Sequence, residues 1–563
     1  MPSRDPRARR ARRPAVAPAP VVPSRRARVV VEPDEASTEG LFTISDRAWL
    51  IAGLVILVLG AVLRLYQLEN SPFHNDEGVN GWFLTNLMRH GTYAYDPANY
   101  HGPTLYYFAF VSAILVGLTD VGVRLVPVFF GLATIGFALA MRRWLGTTGS
   151  LVAAALLAVS PGWLYFSRYF IHEELLVCFT VAMVYFGLRW LDGRRTQWLM
   201  LAAASAALLF ATKETAILTV GVLVIALACL PLYERIVRRP IGAPPPAAAV
   251  AAGPAASSGS ARRSRGAAET QSLDERVIAF FREPWALSSV IAAVLVFLVV
   301  YVLFYSSFGT HWKGVLDSFA SLAIWTTTGT EDHIHSLFSY VEWLVREELP
   351  ITIVAVLGGL IAVREGRSRV ALFIALWAFG LFAAYSLIGY KTPWLLLSFL
   401  VPMALIGGYG IERLWTRLRG SRFLIMAACS VLLVFSTYQA VRLSFSDYDN
   451  DANPYVYAHT VRDTYRLIAD VDAAAAKLGV GNQIHVVIMS PDYWPLPWYW
   501  RDYPGVGFFG QITGTAEPVV IAKIDQEALL PADFQAAYVR QGEYTLRPGV
   551  QLALYFRRDA FGL

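Results

Sequence analysis

What constrains this chain most is a succession of long apolar runs separated by short polar loops. Ala48 to Leu63 is unbroken, and further runs lie at 121–141, 148–166, 174–191, 197–212, 215–232, 285–305, 350–363, 369–389, 393–411 and 422–441. About 20 apolar residues in a helix cross a ~30 Å hydrocarbon core. Lipid offers backbone N–H and C=O groups no partner, so a crossing segment must satisfy them within its own helix. The expectation is an α-helical polytopic membrane protein with about 11 spans, or up to about 13 if borderline segments cross. Composition agrees: 16% of residues are charged, against roughly a quarter in soluble proteins.

Charge then orients the spans. Residues 1–45 are rich in Arg, Pro and Ala without apolar periodicity, as in a disordered basic cytoplasmic tail. Many arginines precede the first span, and Arg64 alone follows closely, where it is expected to snorkel to the outer interface. Two apolar runs, 104–119 and 121–141, precede Arg142-Arg143. Only if 104–119 does not cross do this and all later basic loops fall inside. The resulting organisation is a membrane half at 46–239 with an outer loop at 67–103, a disordered cytoplasmic linker at 240–275, a second membrane half at 276–441 and an extracytoplasmic α/β domain at 442–563. The location is the plasma membrane, with the N-terminus cytoplasmic. The net charge of +6 is explained by these loops and the tail, so no nucleic acid is implied as a partner. Membrane lipids are. Three cysteines, all within apolar runs, read as packing residues.

The first outer loop holds Pro72-Phe73-His74-Asn75-Asp76-Glu77-Gly78. Asp76 is either a helix N-cap or a general base. A stripe of Val79, Trp82, Phe83, Leu87 and Met88 after it suits a helix on the membrane surface, with Asn80, Arg89 and His90 off the stripe. The other outer loops carry Asp96 and His101, then Arg168, His172 and Glu173, then Lys213-Glu214-Thr215, His333 and His335, and Lys391 with Trp394. Ionisable groups at membrane depth are functional candidates by default, although snorkelling or ion pairing explains any one alone. Arg168, Lys213 and Lys391 suit an anionic phosphate. His74, His101, His333 and His335 are candidate ligands for a divalent metal ion, although His-x-His is no recognised zinc spacing. No Walker or Rossmann glycine pattern is present, which argues against a nucleotide donor. The aromatic segment Tyr493 to Arg501 suits carbohydrate stacking or the membrane interface equally.

The motifs His74-Asn75-Asp76-Glu77, Tyr95-Asp96-Pro97, Tyr100-His101-Gly102-Pro103, Lys213-Glu214-Thr215, Lys391-Thr392-Pro393-Trp394 and Trp494-Pro495-Leu496-Pro497-Trp498-Tyr499 occur in that order. In this the chain resembles the C-type glycosyltransferases, which include protein O-mannosyltransferases and lipid A aminoarabinose transferases. It most resembles a prokaryotic subfamily labelled as flippase-activity-associated proteins of archaeal-type N-glycosylation. The resemblance implies a C-type bundle, a polyprenyl-phosphate-linked sugar donor, and inverting transfer to a glycan, lipid or protein acceptor on the outer face. Asp76 would match the catalytic aspartate, as base or metal-assisted activator, with Glu77 supporting it. Arg168, Lys213 and Lys391 would be positioned for the donor phosphate. Asp96, His101, His172, Glu173 and Trp394 would contact substrate, with His74, His333 and His335 as metal ligands. The alternative is a non-enzymatic flippase, or flippase accessory, for lipid-linked sugars.

Overall fold

The computed structural model describes residues 44–99, 101–242, 284–328 and 334–563. The tail up to residue 43, most of the linker and His333 lie outside the described residues. The N-terminal half contains α1 (Asp46–Leu65), α2 (Asn75–His90), α3 (Thr104–Val116), α4 (Asp120–Ala140), α5 (Arg142–Leu145), α6 (Thr147–Val159), α7 (Pro161–Phe166), α8 (Glu173–Gly193), α9 (Thr196–Phe210) and α10 (Ala216–Val237). The second half contains α11 (Pro284–Tyr305), α12 (Lys313–Thr328), α13 (Ser339–Glu347), α14 (Leu349–Glu365), α15 (Arg369–Leu387), α16 (Leu397–Arg417) and α17 (Arg422–Phe445).

Among the described residues, eight helical segments are long and apolar enough to cross a membrane, so the protein is a multi-pass membrane protein. The expected spans over α6, α9 and α14 are shorter, at 13, 15 and 17 residues. Helix α3 has 13 residues, about 20 Å at 1.5 Å per residue, and is too short to cross alone. Helix α16 is buried along most of its length and packs against α6, α14 and α15, which makes it the central post of the bundle.

The expected single span at 148–166 is broken at Ser160-Pro161. Proline has no N–H for the carbonyl four residues back and disfavours a helical residue before it. Ser160 is accordingly extended (φ −64°, ψ 130°). The carbonyls of Leu157 and Ala158, which lose their helical donors there, accept instead from the Arg64 guanidinium at 3.2 and 3.1 Å. Ser436 Oγ donates to Val159 O (2.9 Å), and the Gly162 N–H donates to Glu348 Oε1 (2.7 Å). Arg64 is fully buried. It does not snorkel: its fork replaces hydrogen bonds that the helix break removed.

The C-terminal part joins α18 (Thr464–Leu478) to five strands: β1 (Val486–Ile488), β2 (Val506–Phe508), β3 (Val519–Lys523), β4 (Tyr538–Arg547) and β5 (Val550–Arg557). Their order is β2-β1-β3-β5-β4. β1 pairs parallel with β2 and β3, and β5 antiparallel with β3 and β4. Leu467, Val471 and Ala474 of α18 pack onto Val486, Ile488, Ile521 and Leu554 of the sheet. This is the expected small α/β domain.

The aromatic segment is buried to half-buried. It forms a short helix, α19 (Leu496–Tyr499), docked on α2. Trp498 stacks on Phe73 (4.6 Å between centroids), and its Nε1–H donates to Asp120 (2.8 Å). A Cβ on Gly81 would stand 2.5 Å from the Trp498 ring, so glycine is what allows this approach. The buried face of α2 is therefore Glu77, Gly78, Asn80, Gly81, Leu84, Thr85 and Leu87, while Trp82 is exposed. Asn80, off the apolar stripe, bonds Phe170 O (2.9 Å) and Tyr106 Oη (3.0 Å) in the interior.

Candidate functional site

His74, not Asp76, caps α2. Its Nδ1 accepts the Asp76 N–H at 3.1 Å, so Nε2 carries the proton and donates to Tyr457 O at 2.8 Å. Glu77 closes the capping box by accepting the His74 N–H at 2.9 Å. The two carboxylates then part company. Glu77 is fully buried, accepts two bonds from the buried Arg124 (2.8 and 2.7 Å) and accepts the Phe170 N–H (2.8 Å). It does not line the cavity described below. Asp76 is half-buried, and its one side-chain hydrogen bond among the described residues comes from Asn75 Nδ2 at 3.2 Å. Its carboxylate keeps accepting capacity at a cavity wall.

A second part of that wall is assembled by backbone pairing. Gly102 and Thr104 donate their N–H groups to Thr212 O (3.0 Å) and Ala211 O (3.2 Å). A Cβ at Gly102 would lie 2.1 Å from Ala211 O, so only glycine permits the contact. This stitching carries His101 to Glu214, with Nδ1 and Oε2 2.9 Å apart. Lys213 donates to Glu173 Oε1 at 2.5 Å. The His172 ring lies 5.0 Å from that of His101 and keeps an unpartnered Nε2. Burial, with the charges of His101 and Lys213, holds His172 well below the usual histidine range and so neutral. Burial lowers the Lys213 pKa, but Glu173 and Glu214 outweigh it and keep the ammonium charged.

These segments enclose one cavity of about 620 Å³. Asp76, His101, His172, Glu173, Lys213 and Trp394 all line it, as expected from their loops, and so does His74. Others are directed elsewhere. Arg168 donates to the carbonyls of Leu63, Arg64, Tyr66 and Gln67 at 2.7–3.2 Å, capping the end of α1. Helix termini leave such carbonyls without partners, and a five-donor fork fits them. Lys391 is buried and donates to Ile388 O (2.5 Å) and His335 O (3.5 Å). Asp96 accepts the Ala98 N–H in an exposed turn. His335 packs its ring against Trp343 and Tyr457.

A metal is not confirmed. Among the described residues no three His, Cys, Asp or Glu side chains come together. Both His74 nitrogens are already committed to backbone groups.

Residues given no separate role from sequence line the cavity too: Glu214, Asn75, Asn99, Tyr390 and Tyr457. Arg124 was detectable as a lone charge inside an apolar run. For Tyr457, brought in from the C-terminal part, there was no signal.

A sequence model of the dolichyl-phosphate-mannose-protein mannosyltransferase family matches residues 100–252, a stretch that includes His101, His172, Glu173, Lys213 and Glu214 but not Asp76. No curated protein sequence matches the chain. ArnT from Cupriavidus metallidurans bound to undecaprenyl phosphate superposes with a TM-score of 0.59 at 16% identity, covering 91% of this chain and 98% of ArnT. Its apo form gives 0.59 at 13%, with 90% and 98% coverage. The Archaeoglobus fulgidus oligosaccharyltransferase gives 0.49 at 12%, covering 88% of this chain and 73% of that one. The chain thus has the fold of the C-type membrane glycosyltransferases. The likeness to ArnT extends over nearly the whole of both chains.

Proposed function

We propose that the protein is a membrane glycosyltransferase that moves a sugar from a polyprenyl-phosphate donor to an acceptor hydroxyl on the extracytoplasmic face. The observation that carries this is the single cavity lined by both Asp76 and the Lys213–Glu173 pair, in a fold shared with a protein solved with undecaprenyl phosphate. In the proposed step, Asp76 takes the proton from the acceptor hydroxyl as its oxygen bonds to the anomeric carbon. The bond from that carbon to the phosphate oxygen breaks, and its electron pair leaves with the polyprenyl phosphate. In-line attack inverts the anomeric centre.

Lys213 is the ammonium that meets the developing phosphate charge, since Arg168 and Lys391 are spent on backbone carbonyls. Glu173 holds Lys213 in place before the donor arrives. His101, backed by Glu214, offers a second polar contact for phosphate or sugar. Trp394 and Tyr390 supply apolar ring faces, and Tyr457 brings the C-terminal domain to the acceptor side.

The test is sugar transfer by the full chain in proteoliposomes supplied with a panel of undecaprenyl-phosphate sugars. Asp76→Asn is expected to lose about 100-fold or more in turnover, the lower range for a positioned base. Unchanged transfer by the variant overturns the role of Asp76. Scrambling of labelled lipid without glycosidic bond formation in the wild type overturns the whole reading in favour of a flippase.

A further inference from the structure

The cavity occupies one end of three helices, and their other ends meet at a second recess. Thr215 and Leu218 at the start of α10, Tyr385 and Ile388 at the end of α15, and Leu395 just before α16 line the cavity. Arg239 after α10, Arg367 before α15, and Arg413 and Arg417 at the end of α16 line the recess, with Arg364 and Glu365 from the end of α14. The connecting helices have 22, 19 and 21 residues, about 28–33 Å at 1.5 Å per residue. The two sites are therefore separated by a full hydrocarbon thickness.

The recess has a volume of about 510 Å³ and, among the described residues, is lined by five arginines against one carboxylate. Glu365 is shared among Arg413 (2.9 Å), Arg417 (3.4 Å) and Arg367 (3.6 Å). One carboxylate cannot neutralise the guanidinium groups of Arg364, Arg367, Arg413 and Arg417, each with five donors. The walls are set in advance. Gly242 N–H donates to Gly366 O (2.8 Å), Arg369 pairs with Glu234 (2.8 Å), and Tyr233 Oη donates to Val363 O (2.5 Å). Together these bonds tie the end of α10 to the turn between α14 and α15. Ile236, Leu360, Val363 and Leu418, on or just beyond the same helix ends, are exposed apolar side chains.

We propose that this recess binds the phosphate groups of an anionic membrane lipid, in the leaflet opposite the cavity. Arginine forks match phosphate oxygens bidentately, and basic recesses between membrane helices suit multiply charged headgroups. The exposed apolar side chains give the acyl chains a surface to follow, which a soluble phosphate would not use.

The test uses the full chain reconstituted in phosphatidylcholine vesicles with and without cardiolipin, then extracted and weighed by native mass spectrometry. The wild type is expected to retain cardiolipin over phosphatidylcholine. Arg364→Gln and Arg417→Gln alter exposed side chains away from the helix packing. Each is expected to weaken retention about fivefold, the contribution of one basic residue near an anionic surface. Equal retention by the double variant and the wild type overturns the site. A competing arm adds inorganic pyrophosphate. A thermal shift with pyrophosphate alone that equals the cardiolipin shift, and is lost in the double variant, overturns the lipid as occupant in favour of a soluble phosphate.

Discussion

Two buried charge clusters flank the N-terminus of α2 and the turn before α10, and both pair glutamates with basic side chains. In the first, Glu77 and Arg124 are both 0% exposed. Arg124 spends its remaining donors on the carbonyls of Leu68, Ser71 and Pro72, so the loop from α1 to α2 is wrapped around a saturated pair. In the second, Lys213 and Glu173 are 7% and 3% exposed, and His101 and Glu214 are 26% and 2% exposed. This cluster opens on the cavity and leaves His172 Nε2 without a partner. A fully satisfied network holds a shape; one with spare donors and acceptors can take a ligand. Closure, more than residue type, separates scaffold from site.

The largest effect should come from breaking the closed cluster. Arg124→Met leaves Glu77 buried and unpaired, which costs about 3–5 kcal/mol of stability. Denaturant unfolding in detergent reads this, and a loss under about 1 kcal/mol would refute the scaffold role. Asp76→Asn, one residue from Glu77, should do the reverse. Transfer falls as stated above, while stability stays within about 0.5 kcal/mol.

Next in size is Lys213→Met, made together with Glu173→Gln so that no lone carboxylate remains buried. Loss of a charged hydrogen bond of about 1.5–3 kcal/mol should appear as at least a tenfold fall in kcat/KM for the lipid donor. An unchanged value would separate the open cluster from phosphate binding.

The smallest effect is on pH stability. Burial pushes the Glu214 carboxyl up, but the charge and hydrogen bond of His101 with the charge of Lys213 outweigh it, holding Glu214 below the usual range. A depressed folded pKa gives stability that is present above the unfolded value of about 4.3 and is lost as pH falls through the folded value. Thermal unfolding between about pH 6 and pH 3 should show a fall that Glu214→Gln reduces. An identical profile in the variant would show that the pair contributes nothing to folding.

Much of the site was legible before the fold was known, because the membrane restricts where charge can go. His101, Glu173, Lys213 and Trp394 were singled out as polar or aromatic residues in loops between apolar runs, and they share a cavity. Arg64, expected at the outer interface, and Arg168, expected in an outer loop, proved to be internal. Their partners are carbonyls exposed by a proline break about 93 residues away and by the end of α1, and a hydrogen bond over that separation leaves no periodicity to detect. The stripe on α2 marked the helix but not what packs on its other face. Gly78 and Gly81 look like gaps in an apolar pattern, yet they are where Trp494, Pro495 and Trp498 pack closest.

The sequence by itself determined the class of this protein: a bundle of apolar helices with a small α/β domain, since hydrocarbon admits few other solutions for such runs. It also placed the chemistry in the loops. Only the tertiary structure decided which of two adjacent carboxylates serves the cavity. On a helix, successive residues point about 100° apart, so the packing of Arg124 and Phe170 against one side claims Glu77 and leaves Asp76 to the open space. It likewise decided which cation meets the cavity. An arginine or lysine takes whichever acceptors lie nearest once the helices have packed, and those are backbone carbonyls for Arg168 and Lys391 but the Glu173 carboxylate for Lys213.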